Sequence, residues 1–317
     1  MTTETLRGLI SIPRLEVQDA NAVSGPLTWG FPSPTAFVGF TDALSRKIPY
    51  DTRGIGIICH NFNPLVYKNK YDYKFILTKN PNDDGQYNQN GNLKQPSIID
   101  EGRASMEVSL IIGVHQQLDE QEAEEMLARV SDAIQVMRLA GGIILPRLSN
   151  KPKFRLRYTP LTGDADEDTS AFYRTCKRLL PGSALVCRPD VLQEHLSECR
   201  HFNQKINVLD ALLNLVRMNV EWDPEAEQWS TKRSRPGWLV PLPVGYGSIS
   251  PTYDPGSVKN ARDPSIPFRF VECLYGLGEW MSPLKLKSPQ QMLWYAQPDV
   301  SKGLYLCGHE EPIAAEA

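Results

Sequence analysis

Disulfide chemistry has little to work with here: six cysteines in 317 residues (Cys59, Cys176, Cys187, Cys199, Cys273, Cys307) form no C-x-x-C pair and no framework spacing. They read as reduced thiols of a cytoplasmic protein. No apolar run is long enough to cross a bilayer, and the opening MTTETLRG lacks the apolar core of a secretory signal, so a soluble protein without membrane contact is expected. A global basic field is missing too. The net charge is -3, so any nucleic-acid contact must come from local clusters of Lys and Arg. The five histidines are scattered, and Cys199 with His201 is too close and too isolated for a zinc site of paired ligands. With no Walker A, no GxGxxG followed by an acid and no Ser-His-Asp spacing, the expectation is no metal, no cofactor and no enzyme.

What is present starts at residues 9–48, which read as strand, loop and helix. Ile10, Ile12, Leu15 and Val17 alternate roughly with Ser11, Arg14 and Glu16, the pattern of a half-buried strand. A Gly/Pro-punctuated loop follows, carrying Asn21, Trp29 and Phe31, and Ser33-Pro34 opens a helix with Phe37, Thr41, Leu44 and Ile48 on one face. Residues 54–62 form an apolar strand. Residues 67–102 read as a projecting hairpin whose tip, 80–95, has almost no apolar content. The alternation Met106, Val108, Leu110, Ile112, Val114 is a clean strand, Asp119 with Glu122 resembles a capping box, and Gly141-Gly142 precedes a returning strand at 143–145. Strand, helix, strand, given twice, is the split βαβ order of an α+β, ferredoxin-like or RNA-recognition sheet.

Beyond it, residues 150–236 read as a helical insertion ending in a polar surface linker, with an apolar, buried helix at 208–216. Pro241 and Pro243 suggest an edge strand or extended arm, residues 268–281 a helix with Phe270, Leu274, Leu277 and Trp280 inward, and 292–295 and 303–306 closing strands. The expected units are therefore a palm at 1–149 bearing the hairpin at 67–102, the insertion at 150–236, and a segment at 237–317 packing back on the palm.

Five blocks carry a resemblance: PRLEVQDANAVSGPLTWGFPSPTAFVGFTDAL, EGRASMEVSLIIGVH, MRLAGGIILP, RSRPGWLVPLPVGY and NARDPSIPFRFVECLYGLGEW. In this order they resemble the second Csy subunit, Cas-five-like, of the type I-F CRISPR surveillance complex. That resemblance implies a RAMP-type palm whose thumb hairpin reaches over RNA. It also implies a non-catalytic subunit that caps the 5' handle of CRISPR RNA with the large subunit as a heterodimer. Further partners would be the backbone subunits of the complex and target double-stranded DNA.

Single-stranded RNA is held by cations tracking its phosphates and by aromatic faces under its bases. Arg14, Asn21, Trp29 and Phe31 have those parts, although Trp29 and Phe31 suit plugs sealing the loop equally well. Arg103, Arg138 and Arg147 are further phosphate candidates, with ion pairs to Glu107 or Glu101 as the plainer use of such arginines. Lys232, Arg233 and Arg235 are candidates for clamping the target duplex, or simply a solvated run. Two rival readings are a metal-independent ribonuclease using His60 as base and a protein scaffold without RNA contact.

Overall fold

A computed structural model describes residues 5–70, 72–76, 78–79, 87, 90–92, 98–99, 101–146 and 151–309. The alternation at the start builds β1 (Gly8–Asn21), in which Leu9, Ile10, Ile12, Leu15 and Val17 are enclosed. Ser33 Oγ accepts the Thr35 N–H at 3.1 Å and Pro34 fills the first turn of α1 (Pro34–Ser45), which buries Phe37, Thr41 and Leu44. After β2 (Thr52–Pro64), β3 (Val66–Lys68) pairs with β4 (Tyr73–Phe75), and β5 (Thr78–Lys79) with β6 (Ile98–Ile99). Most of the polar tip expected at 80–95 lies outside the described residues. β7 (Arg103–Val114) buries all five residues of its apolar alternation. Asp119 and Glu122 then form the reciprocal capping box of α2 (Glu120–Gln135), at 2.8 and 2.9 Å. The positive φ of Ala140 and Gly141 turns β8 (Arg138–Leu139) into β9 (Gly142–Ile144).

The next stretch contributes β10 (Arg157–Pro160), α3 (Ala165–Arg178), β11 (Ser183–Cys187), α4 (Pro189–Phe202), α5 (Val208–Val216), β12 (Asn219–Asp223) and β13 (Gln228–Lys232). The last is β14 (Trp238–Ser248), β15 (Val271–Met281), β16 (Tyr295–Asp299) and β17 (Leu304–Gly308). The result is an α+β protein with five α-helices among the described residues and one large antiparallel sheet. Its order is β16-β17-β14-β15-β11-β2-β7-β1-β9-β8, with β10 on β1. One face of the central strands packs Ile10, Ile12 and Leu110 against Phe37 and Leu44 of α1 and Met126 and Val130 of α2. On the opposite face, Leu9, Ile58 and Ile111 meet Phe172, Cys176 and Met292 near one end of the strands. The other end of that face is open.

Several expectations need correction. Residues 271–281 are strand β15, not a helix. The Phe270, Leu274, Leu277, Trp280 spacing mimics a helical stripe, but Gly276 and Gly278 sit in the segment and give way to Val244 and Leu242 of β14. β14 is not at the edge, since it pairs with both β15 and β17. Its prolines are accommodated because β17 reaches only Gly245–Gly247, and the carbonyl of Pro243 turns away from β15 to accept Ser33 Oγ at 2.7 Å. Finally, the polar linker folds into the β12–β13 hairpin, and β11 of the expected helical insertion enters the main sheet between β2 and β15. Nor is α5 enclosed all round: Ala211, Leu212 and Leu215 are buried, while Leu209 and Leu213 are half exposed.

Candidate nucleic-acid interface

Arg14 sits at a bulge of β1 with φ of +51°, a conformation that costs an L residue about 1–2 kcal/mol unless its surroundings hold it. They do. Its N–H donates to Ser109 Oγ at 2.8 Å, Nη1 to Glu107 Oε1 at 2.8 Å, and Nη2 to the carbonyls of Leu180 and Pro181 at 3.4 Å each. Only 17% of its side chain is exposed, so it works first as a tie between β1, β7 and the entry to β11. His60 completes the cluster: Nδ1 donates to the Pro181 carbonyl at 2.5 Å and Nε2 meets Ser109 Oγ at 2.6 Å. Burial lowers its pKa, which favours the neutral ring that accepts the Ser109 hydroxyl. Arg103 is likewise engaged, with Glu101 and with the Asp19 carbonyl at 3.1 Å.

Asn21 and Arg138 come together. Both line a groove of about 280 Å³ between the first loop, the small-residue face of α1 at Ala36, Gly39 and Ala43, and the Ala140-Gly141 turn. Asn21 Nδ2 donates to the Val23 carbonyl at 2.9 Å and its Oδ1 accepts the Val23 N–H at 3.1 Å, a local turn that fixes the loop entrance. Arg138 Nη1 reaches the Gly141 carbonyl at 3.3 Å from an exposed side chain.

A second groove of about 340 Å³ runs along the other flank of the same loop, between Trp29 and Phe31 and the strand residues Val240 to Pro243 and Trp280. Its two aromatics differ in kind. Phe31 is a plug, stacked on Phe37 at 5.5 Å and edge-on to Trp280 at 4.9 Å. Trp29 is 50% exposed and held by Phe75 of β4 at 5.2 Å, leaving ring surface to solvent. Arg147 lies outside the described residues, as does the side chain of Lys232. Arg233 donates to the Gly237 carbonyl at 3.0 Å, and Arg235 spans Glu194 and Glu198 of α4, both at 2.7 Å.

One set of residues was missed. On the open end of the sheet, Glu16 and Gln18 of β1, Asn61 and Asn63 of β2, and Ser105 and Glu107 of β7 surround a shallow groove of about 260 Å³. The signal was in the sequence, as polar residues at i and i+2 in otherwise apolar strands. Because Arg14 and Arg103 are matched by Glu107 and Glu101, this strip offers amides and acceptors and no surplus positive charge. Such groups suit base edges better than phosphates. The exposed cations lie outside the lining of this groove: Arg138 borders the first-loop groove, and Lys68 and Lys74 stand on the β3–β4 hairpin. Lys68 Nζ stands 5.2 Å over the ring of exposed Tyr73.

Among the described residues no cluster of His, Cys, Asp and Glu could hold a metal ion, and no helix is long and apolar enough to cross a membrane. The fold and its grooves thus define an antiparallel α+β protein with an open polar sheet face and a loop grooved on both flanks. Residues 10–307 match the family described as CRISPR-associated protein (Cas_Csy2). Over 322 aligned residues the chain is 42% identical to CRISPR-associated protein Csy2 of Pseudomonas aeruginosa (strain UCBPP-PA14), covering 96% of each. The chain belongs to the Csy2 family, and the resemblance carried by the five sequence blocks to a type I-F Csy subunit is borne out.

Proposed function

We propose that this chain is a non-catalytic guide-RNA subunit of its CRISPR complex, gripping the 5' handle together with the large subunit and beginning the row of backbone subunits. The β1-α1-β2-β7-α2-β9 unit supports this reading: its spatial order β2-β7-β1-β9, with both helices on one face, is that of a ferredoxin-like RNA-binding palm. The observation that carries the reading is the convergence of Asn21 and Arg138 in one groove, with the exposed face of Trp29 on the other flank of the same loop. In it, phosphates meet Arg138 and the hairpin lysines, bases stack on Trp29, and base edges meet the Gln18, Asn61 and Asn63 strip. His60 is spent on holding Pro181 and Ser109, which disfavours a ribonuclease. Arg235 is committed to α4, so the reading leaves duplex DNA to partner subunits.

The test is the complex expressed with its neighbouring subunits and purified with its RNA. An Asn21→Ala, Arg138→Ala variant should lose protection of the 5' end of the guide by about tenfold, as expected for the loss of one or two polar contacts. Unchanged protection with a full set of subunits would favour a scaffold. Cleavage of labelled repeat RNA by the purified chain, abolished in His60→Ala, would reinstate the enzyme.

A further inference from the structure

The β12–β13 hairpin pairs with no other strand among the described residues. Trp222 stands directly across from Trp229 with ring centroids 5.6 Å apart, and the two remain 48% and 68% exposed. A cross-strand aromatic pair stabilises an otherwise marginal two-stranded ribbon, which accounts for the pair itself. It does not account for Val220 on the same face, for Leu209 and Leu213 on the outer side of α5, or for Phe202, which is 93% exposed at the end of α4. The hairpin is rooted on this helical pair, since Ser234 just beyond it donates to Asn214 Oδ1 of α5 at 2.8 Å. These side chains are apolar and exposed on an appendage whose far end is acidic: Glu221, Asp223, Glu225 and Glu227 lie toward the turn of the hairpin, while Arg217, Lys232 and Arg233 flank its base.

We propose that the hairpin and the outer side of α5 form a docking surface for a protein partner bearing an apolar cleft rimmed by Lys and Arg. Exposed tryptophans are the side chains that most often anchor such contacts. The carboxylates select the partner's rim and exclude the alternatives. They repel nucleic-acid phosphates and anionic lipid headgroups, and a two-fold contact with a second copy would set them against one another. The proposal rests on the chain working within a multi-subunit complex and is independent of where the palm holds RNA.

Two variants of the co-expressed complex test it. Trp222→Ser with Trp229→Ser removes the anchors, and Glu221→Lys with Glu225→Lys and Glu227→Lys reverses the rim while keeping the aromatic pair. Each should lower recovery of one protein subunit with this chain by about tenfold or more, with RNA per palm unchanged. A full complement of subunits in the charge-reversal variant overturns the proposal, whatever the tryptophan variant does. So does loss of self-association in place of a different subunit. Loss of RNA with every subunit retained would place an RNA contact on the hairpin and overturn this proposal, while the palm reading stands or falls by the Asn21→Ala, Arg138→Ala variant.

Discussion

On the open face of β1, β2 and β7, amides, a hydroxyl and carboxylates stand over an interior whose aliphatic side chains are fully enclosed. The unit made of α4, α5 and the β12–β13 hairpin does the reverse, with a small core at Leu192, Leu196 and Leu212 and tryptophan, leucine and phenylalanine turned outward. The difference separates the two proposed readings: a polar strip would meet the base edges of a single strand, whereas apolar side chains beside carboxylates would meet a basic-rimmed protein surface. It also separates cations by duty: Arg14 and Arg235 hold elements together, while Arg138 faces a groove.

The largest way to break this contrast is Arg14→Ala. The change strands half-buried Glu107 and releases the Leu180 and Pro181 carbonyls, so it should cost about 2 kcal/mol, less than for a fully buried pair because both side chains are partly exposed. A lower urea midpoint checks this; stability unchanged together with lost RNA would return Arg14 to the phosphate role expected from sequence.

Acid should act next on the interior stitch. His309 Nε2 accepts the Cys187 N–H at 3.1 Å and its ring meets Trp294 edge-on, and burial lowers its pKa from 6.5 to about 4. As pH falls through this window the unfolded chain binds a proton that the folded chain refuses, so stability is lost between about 6.5 and 4 and not above it. The loss should be about 1–2 kcal/mol, since part of the ring stays exposed. Urea midpoints of His309→Gln should fall less steeply over that window; an identical slope would remove His309 from the account.

Arg138→Ala should leave stability alone and lower the log-log salt slope of RNA binding by about 0.7, one single-strand phosphate. A slope that does not move would take Arg138 out of the phosphate path. Smallest of all, Glu227→Lys at the hairpin should shift the chain's own stability by no more than about 0.5 kcal/mol, as a surface change remote from any core does. A larger shift by thermal denaturation would mean that the appendage's charge serves folding and not a partner.

How much of this was legible in the sequence follows the range of the interactions. β1, β7, the Ser33 cap and the Asp119-Glu122 box were readable because the deciding residues lie within a few positions of one another. β15 was not, because its apolar spacing fits a helix and only the facing β14 side chains decide against it. The site was half visible. Asn21, Trp29 and Arg138 stand out locally, but the partners that claim Arg14 and Arg235 lie 93 and 41 residues away in the chain. Asn61 and Asn63 were overlooked although their spacing in an apolar strand marks a solvent-facing row.

The most direct test is ultraviolet cross-linking of the intact complex to its own guide RNA, with the adducts on this chain mapped by mass spectrometry. The account predicts adducts at Trp29 and at Tyr73 of the hairpin beside it, with Trp222 and Trp229 unmodified. Adducts confined to Trp222 and Trp229, with the first loop clean, would contradict it.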